Sequence, residues 1–210
     1  GSNMIKVLLV EDRKMSRDSI IGYMKDSDRY ELAAQTASAG MAEMLCMQNN
    51  IDLVLMDVCT ANNENGIEAT AVIKRHFPKI KVIIVTGMTT VDLLDRARAA
   101  KADSFWYKEI EGEELLDVMD RTMNGENIYP DKTPLVRIGN MASAEISDRE
   151  LEVLRLMAEG NTDQAIAEKL CVSVSAVRYH VTQLLQKTGY ENRVKLIADL
   201  INKDFIVPRL

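Results

Sequence analysis

Two hydrophobic periodicities divide the chain into a first part with alternating strands and helices and a second part with helices alone. Short runs of branched apolar residues predict strands that are buried on both faces. The strongest runs are Ile5–Val10, Leu53–Met56 and Val82–Val85, and the weaker candidates are Glu31–Thr36 and Asp103–Tyr107. Apolar residues spaced by three and four predict the intervening helices Met15–Lys25, Ala39–Gln48, Ile67–His76, Val91–Ala100 and Glu113–Met123. Five strands alternating with five helices predict an α/β fold with a five-stranded, doubly wound parallel sheet.

The alternation of strands and helices stops near residue 125. Residues 125–144 hold two of the four prolines and have no clear period, so they predict a linker. Helical spacing then returns and predicts the helices Asp148–Glu159, Asp163–Leu170, Ser175–Thr188 and Asn192–Lys203. We therefore predict an α/β domain over residues 4–124, a linker over 125–144 and a small all-α domain over 145–210.

Charge is distributed unevenly between the two predicted domains. The chain has a net charge of −6, of which residues 1–144 carry −5 and residues 145–210 carry −1. A negative field of this kind does not attract nucleic acid. Any nucleic-acid footprint on the second domain must therefore come from the local placement of its cations.

The cysteine and histidine content excludes several classes of protein. Three cysteines that are far apart in the sequence and two histidines exclude a disulfide framework, a thiolate zinc cluster and a histidine metal site. No apolar run approaches the length needed to span a bilayer, and no signal peptide is recognisable. These features predict a reduced, cytoplasmic protein that makes no contact with a membrane.

Polar residues follow four of the predicted strands at the point where each strand ends. Glu11 and Asp12 follow the first strand, Asp57 follows the third, Thr86 ends the fourth and Lys108 follows the fifth. Taken singly, each has the alternative of a solvated loop residue or helix cap, but together they are expected at one edge of the sheet. Three clustered carboxylates repel one another unless a divalent cation joins them, and oxygen ligands suit Mg²⁺. A cation, a hydroxyl and an ammonium around one carboxylate indicate phosphoryl transfer.

The motifs VEDR, MD, TG and YK that carry these residues resemble those of a two-component response-regulator receiver domain over about residues 4–124. The resemblance implies a CheY-like fold in which Asp57 is the phosphoacceptor. It also implies that Mg²⁺ is held by Glu11, Asp12, Asp57 and the backbone carbonyl of Cys59. This metal would be the cofactor of the domain.

The same resemblance assigns roles to residues near the carboxyl edge of the sheet. It does not determine the shape of the loop after Asp57. It implies that Thr86 and Lys108 contact the phosphoryl oxygens, and that Phe105 is an aromatic switch residue acting with Thr86. A plain core aromatic is the alternative for Phe105. The loop VCTANNENG after Asp57 lacks the Met-Pro pair usual in the family and reaches Gly66 one residue late.

The second domain contains two predicted helices joined by a short turn. Asp163–Leu170 and Ser175–Thr188 flank this turn, and Ser173 is placed to cap the second helix. Residues off the apolar stripe of the second helix lie where a recognition helix meets base edges, and two further cations are placed to meet phosphates. The base-contact candidates are Arg178, Tyr179 and Thr182, and the phosphate-contact candidates are Lys187 and Arg193. Many helical domains contain such a pair without binding DNA, so the pattern alone leaves this function open.

The segments ISDRELEVLRLMAEG, QAIAEKL and SVSAVRYHVTQLLQKTG resemble the LuxR-type helix-turn-helix domain over about residues 145–205. Together, the two resemblances correspond to response regulators of the NarL/FixJ class. They imply contacts of Arg178, Tyr179 and Thr182 with double-stranded DNA. They also imply a homodimer in which the last helix, Asn192–Lys203, pairs across the dimer.

These patterns predict a transcription regulator of a two-component phosphorelay, with a sensor histidine kinase as partner. The chain is expected to catalyse nothing beyond acceptance of a phosphoryl group on Asp57 and slow self-dephosphorylation. Slow loss is expected because Cys59 and Met88, two positions after Asp57 and Thr86, carry no amide or carboxylate that orients a water molecule.

Two alternative functions remain open from the sequence. One is a LuxR-type regulator that responds to a ligand or a protein instead of phosphorylation, which the unusual loop after Asp57 favours. The other is a Mg²⁺-dependent phosphohydrolase with a helical accessory domain. Thr60 counts against this enzyme, because it occupies a position where a second carboxylate would act as general acid.

Overall fold

A computed structural model describes residues 3–90, 92–108, 114–131, 133–203 and 205–206. The chain forms two compact units. The first comprises residues 1–87 and 92–132, and the second comprises residues 88–91 and 133–210.

The first unit is built on a parallel sheet with the strand order β2-β1-β3-β4-β5. Its strands are β1 Ile5–Val10, β2 Tyr30–Thr36, β3 Leu53–Met56, β4 Lys81–Thr86 and β5 Ser104–Tyr107. The helices between and after them are α1 Lys14–Lys25, α2 Ala42–Asn49, α3 Gly66–His76, α4 Leu93–Ala99 and α5 Leu115–Met123. The predicted five-stranded parallel sheet, with helices alternating between its strands, is confirmed.

Three helices of the first unit have predicted starts that differ from the structure by two or more residues or lie outside the described residues. The helix expected from residue 39 begins with a 3₁₀ turn over Ala39–Met41, and α2 itself starts at Ala42. The predicted starts at Val91 and Glu113 lie outside the described residues, within which α4 begins at Leu93 and α5 at Leu115.

Burial on both faces fixes the sheet in place. One hydrophobic core joins alternate residues of the central strands to α1 and α5. Its strand members include Val7, Leu9, Leu53, Leu55, Ile83 and Val85. The residues between them, such as Leu8, Val54 and Ile84, are fully buried on the opposite face, as the two-residue period of a strand requires. The register pairs Val10 with Met56, so the residues after these two strands emerge side by side.

The segment after α5 packs against the edge strand of the first unit. The backbone N–H of Phe105 donates to the carbonyl of Ile128 at 2.8 Å, and the N–H of Ile128 donates to the Ser104 hydroxyl at 3.0 Å. The hydroxyl of Tyr129 donates to the carbonyl of Ala102 at 2.6 Å. Residues 128–129 lie in the segment predicted as a linker, and nothing in its composition indicated these contacts.

A small hairpin in the second unit also falls within residues 125–144. Its antiparallel strands are β6 Arg137–Ile138 and β7 Met141–Ala142. Gly139 in the turn has φ of +58°, and a Cβ on it would lie 2.0 Å from the carbonyl oxygen of Thr188. The neighbouring N–H of Asn140 donates to that same oxygen at 2.9 Å. The hairpin therefore approaches the end of a helix so closely that the turn requires glycine.

Among its described residues, the second unit contains four α-helices, as the sequence predicted. They are α6 Asp148–Ala158, α7 Asp163–Leu170, α8 Val174–Thr188 and α9 Arg193–Asn202. Each begins with a side chain that accepts a backbone N–H of the first turn, and the capping residues are Ser147, Thr162, Ser173 and Asn192. Gly160 and Gly189 follow α6 and α8 with positive φ, as expected for residues that end a helix. The predicted cap at Ser173 is confirmed.

Candidate functional site

Three carboxylates meet at the carboxyl end of β1 and β3. Glu11 and Asp57 are buried, with 1% and 7% of their surface exposed, whereas Asp12 is exposed. One oxygen from each of the three carboxylates lies within 4.8 Å of the other two. The N–H of Asp57 donates to the carbonyl of Val10 at 3.0 Å, which ties the two strand ends together.

Lys108 brings a positive charge to this cluster from the end of β5. Its ammonium lies 2.5 Å from a carboxylate oxygen of Glu11 and 3.7 Å from Oδ2 of Asp57. Its own backbone N–H donates to the carbonyl of Thr86 at 2.8 Å, so the ends of β4 and β5 are fixed to each other. The structure thus brings together Glu11, Asp12, Asp57 and Lys108, as the strand-end pattern predicted.

Burial governs the acid–base properties of Asp57. Removal from water raises the pKa of this carboxyl far above its ordinary value, Lys108 opposes the rise and the neighbouring Glu11 adds to it. The N–H of Val58 donates to Oδ1 at 2.8 Å and favours the charged form. The ionised form of Asp57 is therefore destabilised in this site, and additional positive charge close to it would stabilise that form.

The donor set of the cluster fits a divalent cation. Oxygens from three carboxylates converge and repel one another. A divalent cation such as Mg²⁺ would neutralise this excess of negative charge. Asp12 is the exposed member, so the cluster opens to water, which Mg²⁺ retains in its coordination sphere. Cys59, whose carbonyl was predicted as a further ligand, is half-buried and forms a short antiparallel bridge with Asn65.

Thr86 and Phe105, the two residues predicted as a switch, lie on neighbouring strands. Both side chains are buried with 1% of their surface exposed. The ring of Phe105 packs edge-on against Tyr107 at 4.8 Å and lies 6.2 Å from the ring of Tyr129. The aromatic switch candidate therefore contacts the segment that follows α5, a neighbour that the sequence pattern did not reveal.

The loop after Asp57 contains a 3₁₀ turn over Ala61–Asn63, where Asn62 adopts the left-handed conformation with φ of +63°. Thr60 holds the loop to the segment after β2, because its hydroxyl accepts the N–H of Ala39 at 2.9 Å. A Cβ on Gly66 would lie 1.8 Å from the carbonyl oxygen of Asp57. Gly66 therefore allows the loop to return against the end of β3.

In the second unit, α8 presents one polar face to solvent. Val177, Val181 and Leu184 are buried in the hydrophobic cores. Arg178, Tyr179 and Thr182 lie off this buried stripe and are exposed. The exposed fractions are 69% for the Arg178 side chain and 61% for Tyr179. The three predicted base-contact residues thus share one exposed surface.

The two predicted phosphate-contact residues are engaged in ion pairs. The ammonium of Lys187 donates to both carboxylate oxygens of buried Glu150, at 2.9 and 3.1 Å. The guanidinium of Arg193 donates to Asp163 at 2.5 and 3.3 Å. Burial alone would raise the pKa of Glu150, but hydrogen bonds from Lys187 and Ser147 hold it below its ordinary value. Both cations therefore stabilise the fold in addition to any contact with DNA.

The anionic partners of these cations were not predicted from the sequence. Asp163 and Glu150 lie in the first turns of α7 and α6, where acidic residues are common because they complement the helix dipole. Their cationic partners are 30 and 37 positions away in the chain. A pairing across that distance leaves no periodic signal in the sequence.

Comparison with known proteins identifies both units. Residues 7–120 match the response regulator receiver domain, and residues 144–199 match the luxR family of bacterial regulatory proteins. The chain belongs to the response regulators. It is 30% identical over 199 residues to the response regulator protein VraR of Staphylococcus aureus strain NCTC 8325 / PS 47, covering 92% of this chain and 94% of that protein. The predicted receiver with a LuxR-type DNA-binding domain is confirmed, as is its role in phosphorylation-dependent transcription regulation.

Solved structures support the fold assignment. A structure of two RcsB dimers bound to two parallel DNAs has a TM-score of 0.63 at 20% identity, covering 95% of this chain and 98% of that chain. RcsB from Salmonella enterica serovar Typhimurium, bound to a promoter with the phosphomimetic BeF₃⁻, has a TM-score of 0.63 at 22% identity and covers 94% and 98%. Across the described ranges, none of the helices combines the length and hydropathy that a membrane span needs.

The close approach of Gly66 to Asp57 predicts that the site does not tolerate a side chain there. Gly66→Ala places a methyl group against the backbone carbonyl of Asp57, so we expect a loss of about 1–3 kcal/mol in the free energy of unfolding, measured with urea. Gly22→Ala is the matched control, because Gly22 lies within α1 with no atom within 4 Å of the added Cβ. Helix propensity predicts that the control gains stability. Equal unfolding midpoints for the two variants would contradict the steric argument.

Proposed function

We propose that Asp57 accepts a phosphoryl group from the phosphohistidine of a sensor histidine kinase, and that this modification controls DNA binding by the second unit. The observation that carries the proposal is a buried carboxylate at the end of β3, with Lys108 3.7 Å from its Oδ2. The chromosome is in the cytoplasm, so we propose that the chain acts there.

In the proposed transfer, an Oδ atom of Asp57 attacks phosphorus, a P–O bond forms and the P–N bond to the imidazole breaks. The kinase imidazole nitrogen keeps the electron pair of that bond and takes up a proton. Lys108 neutralises negative charge on the phosphoryl oxygens, and the Thr86 hydroxyl donates a hydrogen bond to one of them. Lys108 would have to shift from Glu11 towards the phosphoryl group, and its 2.5 Å contact with Glu11 marks where that shift begins.

A divalent cation completes the proposed site. Glu11, Asp12, Asp57 and the carbonyl of Cys59 would hold Mg²⁺, which neutralises charge on the transferred group and on the carboxylates. The support for this ligand set is the convergence of the three carboxylates within 4.8 Å.

Phosphorylation should depend on Asp57 and on the metal. After incubation with acetyl phosphate and Mg²⁺, we expect intact mass spectrometry to show one added phosphoryl group on the wild-type chain. Asp57→Asn and chelation of the metal should each abolish this gain, because one removes the nucleophile and the other removes the neutralising charge. Asp18→Asn is the control, since Asp18 is an exposed carboxylate on α1. A gain that persists in Asp57→Asn would contradict the assignment.

The phosphoryl group is proposed to last long on this chain. Hydrolysis needs a water molecule in line with the bond that breaks, and Cys59 and Met88 offer no amide or carboxylate to orient it. Met88 is buried and Cys59 is half-buried. Poor positioning of water raises the barrier by about 1.4 kcal/mol for each tenfold decrease in rate.

Side chains that orient water should shorten the lifetime. After removal of the donor, we expect the phosphorylated form to decay faster in Cys59→Asn, and faster again in the double variant with Met88→Glu. Decay is followed on a phosphate-affinity gel. The control is the double variant Cys171→Asn, Met47→Glu, which makes the same changes at exposed positions. Equal half-lives for the wild type and the Cys59 and Met88 variants would show that these positions do not control access of water.

The second unit is proposed to bind double-stranded DNA as a homodimer, with α8 as the recognition helix. Support comes from the exposure of Arg178, Tyr179 and Thr182 on one face of α8, and from the DNA complexes of RcsB. Lys187 and Arg193 are proposed to contact phosphates, since each side chain remains 41% exposed while paired. Because the unit is nearly neutral, dimerisation has to multiply a modest affinity per subunit.

Arg178 should carry base recognition. Against duplex DNA selected by the wild-type chain from a random library, we expect Arg178→Ala to lose about 1–3 kcal/mol of binding free energy and to relax preference at one base pair. Binding is measured by fluorescence anisotropy at fixed salt. Arg149→Ala is the control, because Arg149 is an exposed arginine on α6 that pairs with Glu152 on the surface. Unchanged affinity and specificity in Arg178→Ala would exclude this placement of α8.

A further inference from the structure

One carboxylate in the second unit faces two arginines from two different helices. Asp163, in the first turn of α7, accepts hydrogen bonds from both terminal nitrogens of Arg193 at the start of α9, at 2.5 and 3.3 Å. Its Oδ2 also lies 3.7 Å from Nε of Arg178 on α8. The Asp163 side chain is only 19% exposed, whereas that of Arg178 is 69% exposed. The carboxylate is therefore anchored by Arg193 and also lies beside the exposed Arg178.

The edge of Arg178 that faces Asp163 matters for what the guanidinium can bind. The 3.7 Å separation from Nε is an ion pair longer than a hydrogen bond. The terminal nitrogens of a guanidinium carry most of its N–H groups, and in bidentate recognition they match the O6 and N7 acceptors of guanine. A carboxylate on the Nε side leaves this end of the fork available.

The negative charge of Asp163 also distinguishes between the two kinds of DNA surface that an exposed arginine meets. A phosphate is an anion and is repelled by a nearby carboxylate, whereas a base edge is neutral and carries only dipoles. Phosphate contacts supply affinity that is independent of sequence. A fixed carboxylate beside Arg178 therefore weakens a contact of this arginine with a phosphate more than its contact with a base edge. Only the contact with the base edge carries sequence information. Specificity of this kind depends on a repulsive element as well as an attractive one.

We propose that Asp163 is a positioning and specificity-determining residue, which directs Arg178 to the acceptor edge of a guanine in the major groove and away from the phosphate backbone. The inference rests on the proposed role of Arg178 in base contact. It assigns to Asp163 a task beyond tying α7 to α9 through Arg193.

The test compares specific and non-specific binding by the full-length chain after treatment with acetyl phosphate and Mg²⁺. The probes are a duplex selected from a random library by the wild-type chain and a scrambled duplex of the same composition. Asp163→Asn removes the charge and keeps an oxygen that accepts from Arg193. We expect it to bind the scrambled duplex about tenfold more tightly, with a salt dependence steeper by about one ion, and to lower the ratio of specific to non-specific affinity about tenfold.

Two controls separate this role from bulk charge and from stability. Glu152→Gln removes the same charge from an exposed position on α6 and should leave the ratio within about twofold of the wild type. Asp163→Glu retains the charge and should keep most of the specificity. Asp163→Ser, which also removes the charge and suits a helix start, is measured beside Asp163→Asn in case one of the two does not fold.

The decisive comparison is made in the Arg178→Ala background. If Asp163 acts through Arg178, Asp163→Asn should lower the ratio much less once Arg178 is absent, and the fall that remains reports the release of Arg193 from the same carboxylate. An equal fall in both backgrounds, or no fall in the wild-type background, would overturn the inference. If Arg178→Ala alone has no effect on specificity, the proposed base contact fails as well; if it relaxes specificity while Asp163→Asn does not, only the role of Asp163 fails.

Discussion

The central constraint on the first unit is the burial of negative charge at the carboxyl edge of its sheet. Glu11 and Asp57 lose most of their contact with water, and Lys108 reaches both of them from the end of β5. A buried carboxylate is stable only with compensating charge or hydrogen bonds. The strand order, the bond between the ends of β4 and β5 and the tight loop after Asp57 all serve to hold these groups together. The arrangement offers oxygen ligands to a divalent cation, whose charge would offset the buried negative charge.

In the second unit, two partly or fully buried acidic residues are paired with cations. Glu150 is matched by Lys187, and Asp163 is matched by Arg193 with Arg178 beyond it. The pKa of each acid is lowered. Hydrogen bonds from Arg193 are the largest cause for Asp163, and for Glu150 the interactions with Lys187 and Ser147 together outweigh burial. In the first unit, by contrast, burial raises the pKa of Asp57. The acidic cluster around Asp57 thus lacks full compensation by positive charge, whereas Glu150 and Asp163 are each paired with a cation.

The sequence was sufficient to predict the elements and the acidic cluster, because both depend on local pattern. Buried parallel strands are continuous apolar runs, and the polar residues that follow them must meet at one edge. The contacts that escaped prediction join residues that are distant in the chain or lie in segments without a period. Asp163 meets Arg193 across 30 positions, Tyr129 packs near Phe105 from a segment rich in turn residues, and β6 and β7 have two residues each. The left-handed conformation of Asn62 was likewise not predicted.

The packing of residues 128–129 against β5 has a practical consequence for work on the isolated receiver. β5 is an edge strand, and an uncovered edge presents unpaired N–H and carbonyl groups to which another chain can add a strand. The carbonyl of Ile128 occupies the N–H of Phe105, and Tyr129 covers the same side. A receiver fragment that ends with α5 at Met123 would uncover this edge and invite self-association, whereas a fragment that continues through residue 130 would keep it protected. The receiver therefore needs several residues after its last helix, because these residues protect the edge strand β5.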